Sequence, residues 1–314
     1  MTASTHDTSA EWARSPERSN MLMLRIMTWI SLRLGRPAGR IVLHLIAGYF
    51  LLFAPASRAG SRAYLSRMLG RPVRWSDIYK HFFWFASTIH DRVYLLNQRF
   101  DLFDIEVHGE QVIQDALADG QGVFLIGAHM GSFEAIRALG RHHAGLKVAM
   151  AMYEENARKI NAMLAAINPT AQQDVIGLGR IESMLKIKEY LEQGTLVGML
   201  ADRTLGGDST HAVNFLGDAA YLPVGPFRMA AIVRRPVVFM VGLYLGGNRY
   251  AIHFEQLTDF SQNAAGQRQA AIERAMERYA ALLENYCRRA PYNWFNFFDF
   301  WRTASPAGEQ AKKD

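Results

Sequence analysis

The sequence predicts an α/β fold: a mixed, largely parallel sheet flanked by helices, preceded by a helical N-terminal region. Three observations carry this. From Asp104 onward, short apolar runs bounded by glycine alternate with helical segments, the pattern of strands joined by crossover helices. Ahead of them, residues 21–100 hold long apolar and aromatic stretches with no strand alternation. The last two apolar runs flank Gly246-Gly247-Asn248, a turn that makes them an antiparallel hairpin. Half of the 314 residues are hydrophobic, enough for a sizeable core, and no linker divides the chain.

Along the chain, residues 1–20 are polar and mixed in charge and lack the basic start and apolar run of a secretory signal; a disordered tail is expected there. Met21–Leu34 and Ile41–Pro55 are apolar, with Gly35 and Pro37 between them to end one helix and begin the next. Neither run alone reaches the ~20 residues of a spanning helix. On a helical wheel Arg25, Arg33, Arg36 and Arg40 fall within an arc of roughly 80°. A basic stripe opposed by Leu, Met, Ile and Trp29 suits a helix lying at a membrane interface. Arg58, Arg62, Arg67, Arg71 and Arg74 form a second basic stretch, followed by an aromatic-rich helix over Asp77–Gln98.

Strands are expected at Ile105–His108, Val123–Ala128, Lys147–Met152, Asp174–Ile176, Leu196–Ala201, Val237–Leu245 and Tyr250–Leu257. Helices are expected at Glu110–Ala118, Ser132–Arg141, Asn156–Ile167, Ile181–Gln193, Pro226–Arg234 and Ala264–Arg289. Residues 21–100 thus form a helical, basic, membrane-associated region and 101–302 an α/β domain, with a polar tail at 303–314.

Charge is uneven. Residues 1–100 carry 14 Lys/Arg against 5 Asp/Glu, about +9, while the rest of the chain is slightly acidic. This asymmetry points to an anionic partner. The arginines are interleaved with apolar runs, and no zinc-ligand spacing or RNA-binding aromatic pattern is present, so membrane is expected and nucleic acid is not. The one cysteine, Cys287, excludes an internal disulfide.

The strongest chemical pattern is Gly122–Glu134, in which an apolar strand ends at His129 and a helix starts within three residues. Active sites of open α/β sheets collect at the carboxyl ends of strands. Glu134, in the first helical turn, is placed to fold back onto the imidazole and fix its tautomer, leaving the other nitrogen to accept a proton. Gly127, Ala128 and Gly131 leave room for a substrate. Asp202 and Arg203 end another strand; in a parallel sheet Asp202 is a second or main carboxylate for His129, and Arg203 an oxyanion or phosphate ligand. Their alternative is an ion pair ordering the turn. Arg228 is a candidate for a carrier or lipid phosphate. Ser132 lacks a nucleophile elbow, and no phosphate loop or metal site is present.

His129-x4-Glu134 resembles the H-x4-D/E motif of lipid acyltransferases. The wider match is to the late (secondary) acyltransferases of lipid A biosynthesis and their relatives. Three further stretches share it: Gly194–Arg203, a strand ending in an Asp-containing turn; Asn214–Ala220, a Phe-x-Gly segment; and Pro291–Trp301, a closing proline–tryptophan segment. The resemblance covers about residues 21–302. It implies a glycerolipid-acyltransferase-like sandwich with an N-terminal membrane anchor.

The implied activity is transfer of a fatty-acyl chain from an acyl carrier protein or coenzyme A thioester to a hydroxyl or amine of a lipid or glycolipid. His129 is the implied base, and no cofactor or metal is needed. The implied location is the cytoplasmic face of a bacterial inner membrane, peripheral or single-span. Two departures, Asp202-Arg203-Thr204 where an Asp-x-Asp turn is usual and a closing segment without its basic residues, point to an acceptor other than lipid A. A thioesterase and a non-catalytic lipid-binding protein are the alternatives.

Overall fold

The computed structural model describes residues 21–138, 146–154, 174–179, 181–204, 208–261 and 265–301, with positions 156 and 167. The tails expected at 1–20 and 303–314 lie outside the described residues. So do most of the helix expected over 156–167 and the end of the one expected over 132–141.

Three helices open the fold. The first, α1 (Met21–Phe53), is broken at Gly35, whose φ of 81° is open to glycine without strain. Pro37 follows in the first turn of the second segment, where a missing N–H costs little. Next, α2 (Pro55–Leu69) begins on a proline and stops at Gly70 in the left-handed conformation. The third, α3 (Trp75–Leu96), starts with Asp77 accepting the Arg74 backbone N–H at 2.8 Å and pairing with Arg71 at 2.7 Å.

The sheet is built from β1 (Asp104–His108), β2 (Phe124–Gly127), β3 (Val148–Tyr153), β4 (Asp174–Leu178), β5 (Leu196–Leu200), β8 (Pro236–Gly246) and β9 (Arg249–Asp259). Their order is β1-β9-β8-β2-β5-β3-β4. All seven expected strands are present, with ends that differ by at most two residues. Central β2 is buried throughout and runs parallel to both β5 and β8. Only β8 and β9 pair antiparallel, and β1 lies parallel to β9, so those two strands oppose the other five. Helices α4 (Glu110–Ala116), α5 (Ile181–Glu192), α6 (Gly225–Val233) and α7 (Arg268–Arg289) accompany the sheet. This is the mixed, largely parallel architecture the sequence predicts.

One sheet was not expected. β6 (Thr210–Phe215) and β7 (Asp218–Pro223) form a hairpin turned at Leu216-Gly217, both with positive φ. The Leu216 N–H donates to Glu284 of α7 at 2.7 Å, which fixes the turn against the domain.

A single apolar cluster joins Leu43 of α1, Tyr64 of α2 and Ile78 and Phe82 of α3 to one face of the sheet, α7 and Trp294. A second cluster, with Ile113, Leu125, Val238 and Tyr250, fills the other face. The N-terminal helices therefore share a core with the α/β domain.

Candidate active site

The carboxyl ends of β2 and β5, adjacent and parallel, bring His129 and Asp202 together across 73 positions of sequence. The His129 Nδ1 lies 2.8 Å from Asp202 Oδ1, and the His129 backbone N–H donates to Oδ2 at 3.1 Å. Trp294 adds its indole N–H to Oδ2 at 2.9 Å. Asp202 is 1% exposed, and its two oxygens meet three partners. A buried carboxylate is tolerated only when its acceptors are filled in this way.

The imidazole is 37% exposed. Its Nδ1 is taken, so Nε2, on the opposite ring edge, is the atom left for a substrate. Burial, then the positive charges of Arg203 and Arg92, hold this histidine below its usual range against the pull of Asp202. It is neutral near pH 7. Burial pushes the Asp202 carboxyl up, but its coupling to His129, the Arg203 charge and the hydrogen bonds from His129 and Trp294 outweigh it and keep the group ionised. A neutral histidine with its tautomer fixed by a buried carboxylate can accept a proton at Nε2.

Glu134 is not the imidazole's partner. It heads a 3₁₀ turn, Phe133–Ala138, and its Oε1 lies 2.9 Å from Nε of Arg92 on α3. The expected fold-back fails because the residues after β2 do not enter the helix directly. They first run alongside β8, where Gly131 bridges to Gly242, and against the closing segment, where Met130 bridges to Trp294. Glu134 thereby faces α3, and the carboxylate for His129 comes from β5. What Glu134 does is set Arg92, whose charge reaches the imidazole.

The room expected at Gly131 is also absent. Its φ is 63°, and a Cβ there would collide with the Gly242 carbonyl oxygen. Its N–H donates to the Asn293 carbonyl at 2.9 Å. Gly131 lets two backbones approach and does not open onto a ligand. The other N–H groups of the turn are engaged too: Met130 with Ala128, Ser132 with Gly242, and His129 with Asp202. None of these four N–H groups is free to meet a further acceptor.

Of the two expected arginines, Arg203 is the nearer to His129. It donates to the Phe295 carbonyl at 2.8 Å and lies 5.5 Å from the centre of the Phe298 ring. Arg228 is exposed on α6, and no hydrogen bond or ion pair joins it to the His129 cluster. Arg235, just past the end of α6, is buried in a bidentate pair with Asp119. Among the described residues no group of three or more His, Cys, Asp or Glu side chains is placed to hold a metal ion.

Two residues of the site escape a reading of sequence. Trp294 looks like packing, and its indole N–H becomes informative only once Asp202 is beneath it. Arg92 sits on a separate helix with no motif around it. His81 supports Trp294: its ring bridges Ser61 Oγ and the Trp294 carbonyl, each at 2.8 Å. Nε2 must donate to the carbonyl, so Nδ1 accepts from the hydroxyl and the ring is neutral.

A family model described as bacterial lipid A biosynthesis acyltransferase matches residues 21–303. The chain belongs to that family. This lipid acyltransferase takes an acyl donor and a lipid acceptor, and its place is in lipid biosynthesis. The chain is also similar to a solved structure, the 1-acyl-sn-glycerophosphate (LPA) acyltransferase PlsC from Thermotoga maritima. Identity is 14%, the TM-score is 0.36, and the match covers 83% of this chain and 95% of that one. No curated protein matches this acyltransferase.

Proposed function

We propose that this acyltransferase moves a fatty-acyl chain from a thioester of acyl carrier protein or coenzyme A to a hydroxyl or amine of a lipid or glycolipid, with His129 as general base. The observation that carries the reading is the His129–Asp202 pair, locked from below by Trp294 and leaving Nε2 at the open edge.

In the proposed step, Nε2 removes the acceptor proton as its oxygen or nitrogen attacks the thioester carbonyl. Asp202 stabilises the imidazolium that results. Arg203, with the charge of Arg92 also reaching the imidazole, offsets the negative charge on the tetrahedral oxygen. Collapse breaks the C–S bond, and Nε2–H returns the proton to the departing thiolate. No acyl-enzyme forms. The enzyme works at the cytoplasmic face of the bacterial inner membrane, where acyl thioesters and lipid acceptors meet. The exposed Ile41, Leu45, Leu52 and Phe53 of α1 support the membrane part. The Asp202-Arg203-Thr204 turn and the Asn293–Trp301 segment favour an acceptor other than lipid A.

The test is transfer of a labelled acyl group from acyl carrier protein, and separately from coenzyme A, into a total bacterial lipid extract, with products identified by mass spectrometry. A new acylated lipid that disappears in His129→Ala supports the mechanism. Unchanged transfer in that variant removes the general-base role. Release of free fatty acid alone makes the protein a thioesterase.

A further inference from the structure

The stretch Ser31–Phe53 of α1, which runs across the Gly35 break, is by length and composition apolar enough to cross a membrane. Its two sides are nonetheless unlike. On a wheel of 100° per residue Gly39, Leu43 and Ala47 fall within about 80° of one another, and all three are buried. Ile41, Leu45 and Leu52 fall within about 40°, centred on the opposite side, and are 69%, 72% and 64% exposed.

The buried side is docked on α3 from end to end. Tyr94 donates to the Ser31 carbonyl at 2.8 Å, Arg36 pairs with the fully buried Asp91 at 2.7 Å, and His44 stacks on Phe83. Phe50 meets Phe82 at the far end. Arg40 reaches across to the Tyr244 hydroxyl of β8 at 3.0 Å. Two arginines of the stripe, Arg36 and Arg40, therefore face inward, while Arg33 is exposed. A crossing α1 would either carry α3, with Asp77, His81 and Asp91, into hydrocarbon or leave Asp91 without its guanidinium. Ionised and polar groups in hydrocarbon carry a desolvation cost that pairing offsets only in part.

The C-terminal end of α1 carries the groups of a headgroup layer. Arg58 donates to the Leu51 and Leu52 carbonyls and lies over the Trp75 ring, which is 55% exposed. Arg62 and Arg74 are exposed nearby in sequence. Basic and indole side chains beside an apolar strip match an anionic lipid surface.

We infer that α1 lies in the plane of the bilayer, its Ile41–Leu45–Leu52 strip in the acyl boundary and its Arg36 and Arg40 on the protein, without crossing. The inference rests on the reading that the enzyme is membrane-bound. It places both ends of the chain on one side of the membrane.

Two single-cysteine variants of the full chain test it, Ser9→Cys and Ser305→Cys, labelled with a membrane-impermeant maleimide in intact spheroplasts and in inverted inner-membrane vesicles. Native Cys287 is fully buried, and the wild type sets the background. The expected result is labelling of both variants in inverted vesicles and of neither in spheroplasts. Labelling of Ser9→Cys in spheroplasts and Ser305→Cys in inverted vesicles overturns the in-plane helix but leaves membrane attachment standing. Both variants labelling in spheroplasts keeps the in-plane helix and overturns the leaflet. Recovery of the chain in the soluble fraction, the strip covered by a second copy, overturns the inference and the membrane reading together.

Discussion

At the scale of single residues, His129 depends on charge and on a fixed tautomer. Asp202→Asn keeps the shape of the site but removes the carboxylate that orients Nδ1–H and stabilises the imidazolium. A fall in kcat of roughly 10²–10⁴-fold is expected, the usual worth of a positioned general base; acyl-transfer kinetics at saturating donor check it. The pH profile is a second test. In the proposed mechanism the base is the neutral ring, so activity should be present above the folded-state pKa and lost as pH falls through it. Because burial, Arg203 and Arg92 hold that pKa below 6.5, the acid limb of kcat/KM should have its midpoint below 6.5. A midpoint above 7 contradicts the assignment. In Trp294→Phe, Asp202 loses a donor that disperses its charge, and the limb should move up in pH. A purely structural role for the indole lowers activity without moving it.

What a reader of the sequence alone can see at this scale follows from distance along the chain. His129 is legible because a strand, a turn and small residues announce it locally. Asp202 is half legible, since it ends a neighbouring strand, but its register against His129 is set by β2 pairing with β5. Glu134 is misleading: five residues from His129, it pairs with Arg92, which lies 37 positions before His129 on a helix that no local pattern connects to it.

At the scale of elements, the turn after β2 works because two backbones touch. Gly131→Ala puts a Cβ against the Gly242 carbonyl at a φ that alanine disfavours. A loss of about 2–4 kcal/mol and a clearly lower Tm are expected, since a rigid backbone clash has no cheap relief. Thermal denaturation measures it. His81, which staples α2, α3 and the closing segment, gives a pH signature. Burial holds its pKa at about 4, below the 6.5 of the unfolded chain. Between those values the unfolded state binds more protons, so stability is full above pH 6.5 and falls toward pH 4. Chemical denaturation should show this slope in the wild type and a smaller one in His81→Gln.

The seven strands of the large sheet were legible because apolar runs with glycine ends mark buried parallel strands. The β6–β7 hairpin was not. Its turn needs positive φ at two positions, and Leu216 fills one of them where asparagine or glycine is the usual sign. Its companion Gly217 looks like part of a motif, and Glu284, which holds the turn, lies a long way downstream.

At the scale of the whole molecule, the N-terminal helices and the sheet form one cooperative body through a few buried polar ties. Arg36 and Asp91 are the clearest. Removing one partner leaves a buried charge, so Arg36→Ala should cost about 3–5 kcal/mol, whereas the double change Arg36→Met with Asp91→Leu should recover part of it. Tyr250 also donates to Asp91 at 2.8 Å, so recovery will be incomplete. Equilibrium unfolding of the wild type and the two variants settles the comparison. The basic stripe was visible in the sequence, but its direction was not. Gly35 breaks the helix, and a wheel drawn through it cannot say which side meets protein.

The stitching of the His129 turn to the closing segment has a consequence during synthesis. Asn293 receives the Gly131 N–H, Phe295 donates to the His129 carbonyl, and Trp294 holds Asp202. All three are among the last described residues to leave the ribosome. While they remain in the exit tunnel, the strands carrying the base and its carboxylate are already outside, yet the pair has no lock. Nascent chains are therefore expected to lack an ordered His129–Asp202 pair until this segment has emerged.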